Sequence, residues 1–215
     1  MSGEPSRRRP IKFAIQLNKE QKEAKEKILH KPYTFLLGQA GSGKTLLGVQ
    51  VGLDLLFNKE KQRIIITRPT VTTEDNGFLP GSLREKMEPW LVPIRDNMMK
   101  AYNQKGKLEK CEAEESIKLI SLSHFRGMTF DDAVVIIDEF QNLTVEQLVM
   151  AVSRLGKNSI MIFCGDQYQI DLKNKDISAT RHIDKLEGSE WVNIIELKEN
   201  HRHPAVKDVL KLLNR

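Results

Sequence analysis

The chain has 215 residues, enough to bury a substantial core, and its size suits one large domain or one domain with an appendage. Forty per cent hydrophobic and 29% charged residues are ordinary for a soluble globular protein, and no secretory h-region or membrane-length apolar run is present. The net charge of +5 permits a polyanionic partner without demonstrating one. Cys111 and Cys164 are the only cysteines and lie far apart, which excludes a disulfide framework and suggests a reducing, cytoplasmic setting with no membrane.

Residues 1–12 form a polar, basic stretch with Arg7-Arg8-Arg9, expected to be a flexible tail; a basic arm touching phosphates is the sharper alternative. The remainder, 13–215, is expected to be one domain. Leu17 to Leu29 predicts a helix that Asn18 caps, with Gln21 in the capping-box position. Tyr33 to Leu37 predicts a buried strand. Gly38-Gln39-Ala40-Gly41-Ser42-Gly43-Lys44-Thr45 follows, and then a largely apolar helix from Leu46 to Phe57. Strand, glycine-rich turn and helix are the setting of a phosphate-binding P-loop. Glycines let the backbone wrap an anion closely, and successive N–H groups and the helix N-terminus supply positive charge. Lys44 adds a full charge for the β- and γ-phosphates, and the Thr45 hydroxyl is placed to ligate Mg²⁺.

Further strands are predicted at Arg63–Thr67, Ile117–Leu122, Ala133–Ile137, Ser159–Cys164 and Val192–Leu197. Between them lie a helical stretch from Leu83 to Tyr102 interrupted by Pro89 and Pro93, a polar loop or helix end over 103–115, and a helix capped by Thr144 with Gln147. A terminal helix starts at Pro204. Apolar strands alternating with helices predict an α/β fold with a mostly parallel sheet covered on both faces. Ligands of such sheets sit at the carboxyl ends of the strands, and Gly38 onward, Thr67-Arg68, Asp138-Glu139 and Gly165-Asp166 all fall there.

Asp138 closes four consecutive β-branched residues and is the expected Walker-B acid for Mg²⁺; Glu139 is placed to polarise the attacking water. Asp138-Glu139-Phe140-Gln141 resembles the Asp-Glu-x-Gln motif of superfamily 1 helicases. Leu17-Asn18-x-x-Gln21 is similar to their adenine-reading motif, which would make Gln21 a contact to the base of ATP. Gly165-Asp166-x-x-Gln169 resembles the motif whose glutamine senses the γ-phosphate, and Asn200-His201-Arg202 the one whose arginine stabilises the leaving phosphate. With Gly77-Phe78-Leu79-Pro80-Gly81, Arg126-Gly127-Met128-Thr129-Phe130 and Arg202-His203-Pro204, the set resembles the PhoH-like family of P-loop ATPases. The resemblance implies a RecA-like core. Phe140 stands where that family usually has alanine, and His201 where superfamily 1 helicases usually place tyrosine.

Arg68 has two readings: a solvated strand-end charge, or, since Thr67-Arg68-Pro69 resembles a superfamily 1 helicase motif that does this, a contact to a nucleic-acid backbone. Arg126 has two as well: a turn residue, or a contact to the nucleotide or a neighbouring subunit. Trp90 and Trp191 read as packing residues. The resemblance implies an ATPase coupled to RNA or single-stranded DNA, assembled as a homo-oligomeric ring, a hexamer by family likeness, with Arg202 or Arg126 offered across the interface. Helicases of the superfamily carry two such cores and this sequence holds one, so an ATP-gated regulatory protein is the alternative. Outside the ATPase residues no carboxylate cluster has metal-site spacing, so ribonuclease chemistry is not expected.

Overall fold

The computed structural model describes residues 11–69 and 83–212. The tail up to residue 10 and the Gly77–Gly81 motif lie outside them. Six parallel strands form one sheet: β1 (Tyr33–Gly38), β2 (Arg63–Thr67), β3 (Ile117–Leu119), β4 (Ala133–Asp138), β5 (Ile160–Gly165) and β6 (Val192–Leu197), in the order β3-β2-β4-β5-β1-β6. Parallel strands require crossovers, and these cover both faces.

On one face lie α1 (Lys19–Ile28), α2 (Lys44–Phe57), α3 (Leu83–Ala101) and α4 (Lys105–Ala113), packed on Leu36, Ile64, Ile66, Val134, Ile136 and Ile162. On the other, α5 (Val145–Val152) and short 3₁₀ segments cover Phe35, Ile65, Val135, Ile137, Met161 and Phe163. The two sets alternate along each strand, as the period of two requires. Both are buried, so the strands read as unbroken apolar runs. Phe35 stacks on Phe163 at 4.5 Å between centroids, and Phe140 meets both edge-on.

Asn18 and Thr144 each complete the predicted capping box. Three stretches differ from the sequence expectation. The helix α3 runs unbroken through Pro89 and Pro93, where the prolines predict interruptions. Buried Leu91, Ile94 and Met98 hold it in the same core as α2, which offsets the lost backbone donors. Residues 103–115 hold a full helix, α4, anchored by buried Leu108 and by the Arg95–Glu112 ion pair to α3. The strand β3 stops at Leu119, and Leu122–Phe125 turns into a 3₁₀ segment that buries Leu122 and Phe125. Trp191, expected to pack, is 61% exposed just before β6, at the sheet edge opposite the P-loop. The final helix, α6 (Pro204–Leu212), starts where His203 Nδ1 accepts from Ala205 N. No helix among the described residues is long and apolar enough to cross a membrane.

Phe163 joins the aromatic stack to the sheet centre and is fully buried. Phe163→Ala is expected to cost about 3–5 kcal/mol in urea unfolding, with little change in m-value.

Candidate functional site

The loop between β1 and α2 is a backbone cradle. Gly38, Gly41 and Gly43 have φ of +149°, +94° and +83°, conformations that side-chain-bearing residues rarely adopt. Space is equally restrictive: a Cβ on Gly43 would lie 2.5 Å from Gln21 Nε2, and one on Gly41 would lie 2.6 Å from Arg202 Cγ. No side chain caps the first turn of α2, so its leading amides point at the loop unanswered by any cap. Lys44 Nζ donates to the carbonyls of Gly38 (2.7 Å) and Gln39 (3.1 Å), curling back over the loop. Ser42 Oγ is buried without a hydrogen-bond partner.

The end of β4 meets the start of α2. Thr45 Oγ1 donates to Asp138 Oδ1 at 2.6 Å. Asp138 is buried, and burial, aided by the charge of Glu139, pushes its carboxyl up to about 6 against the pull of Thr45, Arg68 and Lys44. Glu139 follows in the left-handed region, φ +53°, which is strained for a residue with a side chain. Its carboxylate is held at both oxygens. Gln141 Nε2 donates to Oε2 at 2.6 Å, and Arg68 Nη2 lies 3.4 Å from Oε1.

Gln141 is a hub that the sequence reading left without a role. It is 1% exposed. Besides Glu139, its Nε2 donates to the Gln169 carbonyl (3.1 Å) and its Oε1 accepts from Asp166 N (3.1 Å). Asp166 in turn accepts from the P-loop amide of Ala40 (2.9 Å) and from Tyr168 N (3.0 Å). The loop after β5 thus touches both the cradle and the Walker-B turn. A cleft of about 250 Å³ opens beside it, lined by Gly38, Gln39, Asp166, Tyr168 and Leu197 among others.

The segment after β6 straps the outside of the loop. His201 N donates to Gly41 O (3.0 Å), and Asn200 Nδ2 to Ala40 O (3.3 Å). Gln21 does two jobs: its Oε1 accepts from Asn18 N, closing the capping box, and its Nε2 donates to Ser42 O at 3.1 Å. His201 Nε2 lies 3.4 Å from Gln21 Nε2. The structure therefore gathers Gln21, the loop 38–45, Asp138, Glu139, Arg68 and Arg202 at one sheet edge. Gln169 enters through its backbone carbonyl, with an exposed side chain. Arg126 is exposed at the end of the Leu122–Phe125 segment beyond β3, and no hydrogen bond joins it to the other site residues among those described.

The residues fit a nucleoside triphosphate with Mg²⁺. The glycine cradle is too tight for any Cβ, Ser42 Oγ lacks a partner, and Thr45 and Asp138 present hard oxygen donors side by side. Among the described residues no group of three or more His, Cys, Asp or Glu could hold a metal by itself. Thr45 and Asp138 suit Mg²⁺, which takes one or two protein ligands and completes its shell from phosphate and water.

Asp138 ionised is costly in this burial: the cost is full above about 6, fades as pH falls, and is gone only below the ordinary value of 3.8. Asp138→Asn keeps an acceptor for Thr45 and removes the charge. In Mg²⁺-free buffer at pH 8 the variant is expected to be about 1–3 kcal/mol more stable than the parent by denaturant unfolding.

The sequence model of the family described as "PhoH-like protein" matches residues 14–214. The chain is 39% identical over 182 residues to the PhoH-like protein of Bacillus subtilis (strain 168), covering 82% of this chain and 56% of that protein. It is 37% identical over 186 residues to the PhoH-like protein of Synechocystis, covering 85% and 56%, and 35% identical over 182 residues to Protein PhoH of Escherichia coli (strain K12), covering 83% and 51%. The chain thus spans about half the length of the relatives it matches. Among solved structures, the Pif1 helicase from Candida albicans is similar in fold, with a TM-score of 0.51 at 19% identity over 93% of this chain and 44% of that one. The fold is that of a P-loop NTPase, and on the family match over nearly its whole length the chain belongs to the PhoH-like family.

Proposed function

We propose that the chain is a Mg²⁺-dependent ATPase with a helicase-type core, formed by residues 13–215, whose hydrolysis responds to RNA or single-stranded DNA. The observation that carries this reading is the Thr45–Asp138 contact beside a Glu139 carboxylate fixed by Gln141, at the mouth of the glycine cradle. Binding needs the cradle amides, Lys44 and Ser42. On arrival of the phosphates Lys44 leaves the carbonyls of Gly38 and Gln39 for the β- and γ-phosphate oxygens. Thr45 and Asp138 would hold Mg²⁺, which would supply charge neutralisation when bound. Glu139 orients a water and takes its proton as the water oxygen bonds to the γ-phosphorus. The bond from that phosphorus to the β–γ bridging oxygen breaks, and its electron pair leaves with ADP. Gln21 reads the adenine edge, and the Gln169 side chain turns inward to the γ-phosphate.

Arg202 follows the strap on Gly41 of the same chain, which favours action within one subunit over action across an interface. Arg126, exposed and remote, is the better candidate for a contact between copies in a homo-oligomeric ring, a hexamer by family likeness. Two free thiols fit a cytoplasmic setting. The second reading, an ATP-gated regulatory protein, is distinguished by hydrolysis that no polynucleotide stimulates.

Lys44→Ala is expected to lower ATP turnover about a hundredfold or more. Arg202→Ala is expected to lower turnover by a comparable factor. Mixing Lys44→Ala subunits with Arg202→Ala subunits is expected to restore nothing, because each cradle uses its own arginine. Recovery in the mixture would place Arg202 in trans and overturn the assignment.

A further inference from the structure

Glu139 cannot serve a water freely while its carboxylate is shared with Arg68. The two side chains come from different strand ends, β2 and β4, which are neighbours in the sheet. Gln141 fixes one oxygen of Glu139 from the buried side, at 2.6 Å. Arg68 engages the other from the open side. The Arg68 contact is of a different kind from the Gln141 contact. It runs from a single guanidinium nitrogen at 3.4 Å, and both partners are partly exposed, at 25% and 32%. Pairs of that exposure and length are weak and easily exchanged. A guanidinium also prefers two parallel bonds to a planar or tetrahedral oxyanion, which this contact does not provide. A phosphodiester arriving at the end of β2 offers that geometry and competes with Glu139 on favourable terms.

We propose that Arg68 is an autoinhibitory latch on Glu139, opened by the phosphate backbone of a single-stranded nucleic acid. The proposal rests on the ATPase reading above and names how that site is regulated. In the free protein Arg68 draws Glu139 Oε1 away from the place of the attacking water. When a backbone phosphate takes Arg68, Glu139 stays anchored through Gln141 and its other oxygen turns to the water. The strained φ of +53° at Glu139 suits this role, since the residue sits between two holds and not in a relaxed conformation. The anchor also fixes where the released carboxylate can go, because Gln141 is itself tied to the 166–169 loop that touches the cradle. The latch makes polymer binding and hydrolysis linked equilibria. Any advantage of phosphate over Glu139 for Arg68 must appear reciprocally as an advantage in binding when Glu139 is removed.

Two measurements on the full chain test this. In the first, ATP turnover is read with and without poly(U) or poly(dT) for the parent, Arg68→Ala and Arg68→Gln. The latch predicts that both variants turn over about three- to tenfold faster than the parent without polymer and gain little on adding it. A polymer-free rate equal to or below the parent's, with stimulation retained, overturns the latch. The second needs no hydrolysis: binding of a fluorescent oligo(dT) or oligo(U) to the parent, Glu139→Gln, Arg68→Ala and the double variant. Glu139→Gln is expected to bind about three- to tenfold tighter than the parent, with the gain absent on the Arg68→Ala background. Equal affinity of parent and Glu139→Gln, or a gain that persists without Arg68, overturns the latch while leaving the ATPase reading standing. An oligonucleotide that binds none of the four, beside turnover that depends on Lys44, overturns the latch together with the nucleic-acid part of the function. Parent turnover no higher than that of Lys44→Ala rejects the ATPase reading itself.

Discussion

The 2.6 Å hydrogen bond from Thr45 to Asp138 is the contact on which the site depends. It joins the first turn of α2 to the last residue of β4, two points 93 positions apart in sequence. In this sheet β5 lies between β1 and β4, and α2, crossing on its way to β2, brings Thr45 to the end of β4. It also puts a carboxylate where water cannot solvate it fully. That burial is tolerated because the hydroxyl of Thr45 and the charges of Lys44 and Arg68 face it. A divalent cation would answer the same charge far more strongly. The unfavourable electrostatics of the free protein are what a cation bound between Thr45 and Asp138 would relieve.

Around that contact the polar groups form one connected set. Asp166 clasps Ala40 of the cradle, Gln141 clasps Asp166, and Glu139 hangs from Gln141 with Arg68 on its outer side. On the other flank Gln21, Asn200 and His201 hold Ser42, Ala40 and Gly41. The buried members of this set, Gln141 and Asp166, sit in a low dielectric where each hydrogen bond strengthens its neighbours. Asp166, Gln141 and Glu139 connect the cradle at Ala40 to Arg68 at the end of β2.

Much of this was legible in the residues. The apolar runs at Phe35, Ile64 to Ile66, Val134 to Ile137 and Met161 to Phe163 announced strands buried on both faces. The glycine pattern announced the cradle, because only glycine tolerates those torsions and contacts. Asn18 with Gln21 and Thr144 with Gln147 announced helix starts through their side-chain chemistry. What was not legible depended on packing. Nothing local says that α3 survives two prolines; the core against α2 decides it. The helix α4 has a weak apolar pattern and stands on Leu108 and an ion pair to α3. Gln141 and Asp166 could be placed in motifs by resemblance, yet their partners lie 25 and 126 positions away and no spacing rule reveals them. A polar residue three positions past an acidic strand end, in the short stretch before the Thr144 cap, is the one local hint that Gln141 faces inward.

The central claim is that one chain brings together a cradle, a cation site and a base competent for ATP hydrolysis. Release of inorganic phosphate from ATP by the purified chain, compared with that by its Glu139→Gln variant while Mg²⁺ is titrated, tests it most directly. The account predicts turnover that requires Mg²⁺ and falls by orders of magnitude in the variant, with ATP binding retained. Equal phosphate release by the two proteins, or release that persists when Mg²⁺ is chelated, would contradict it.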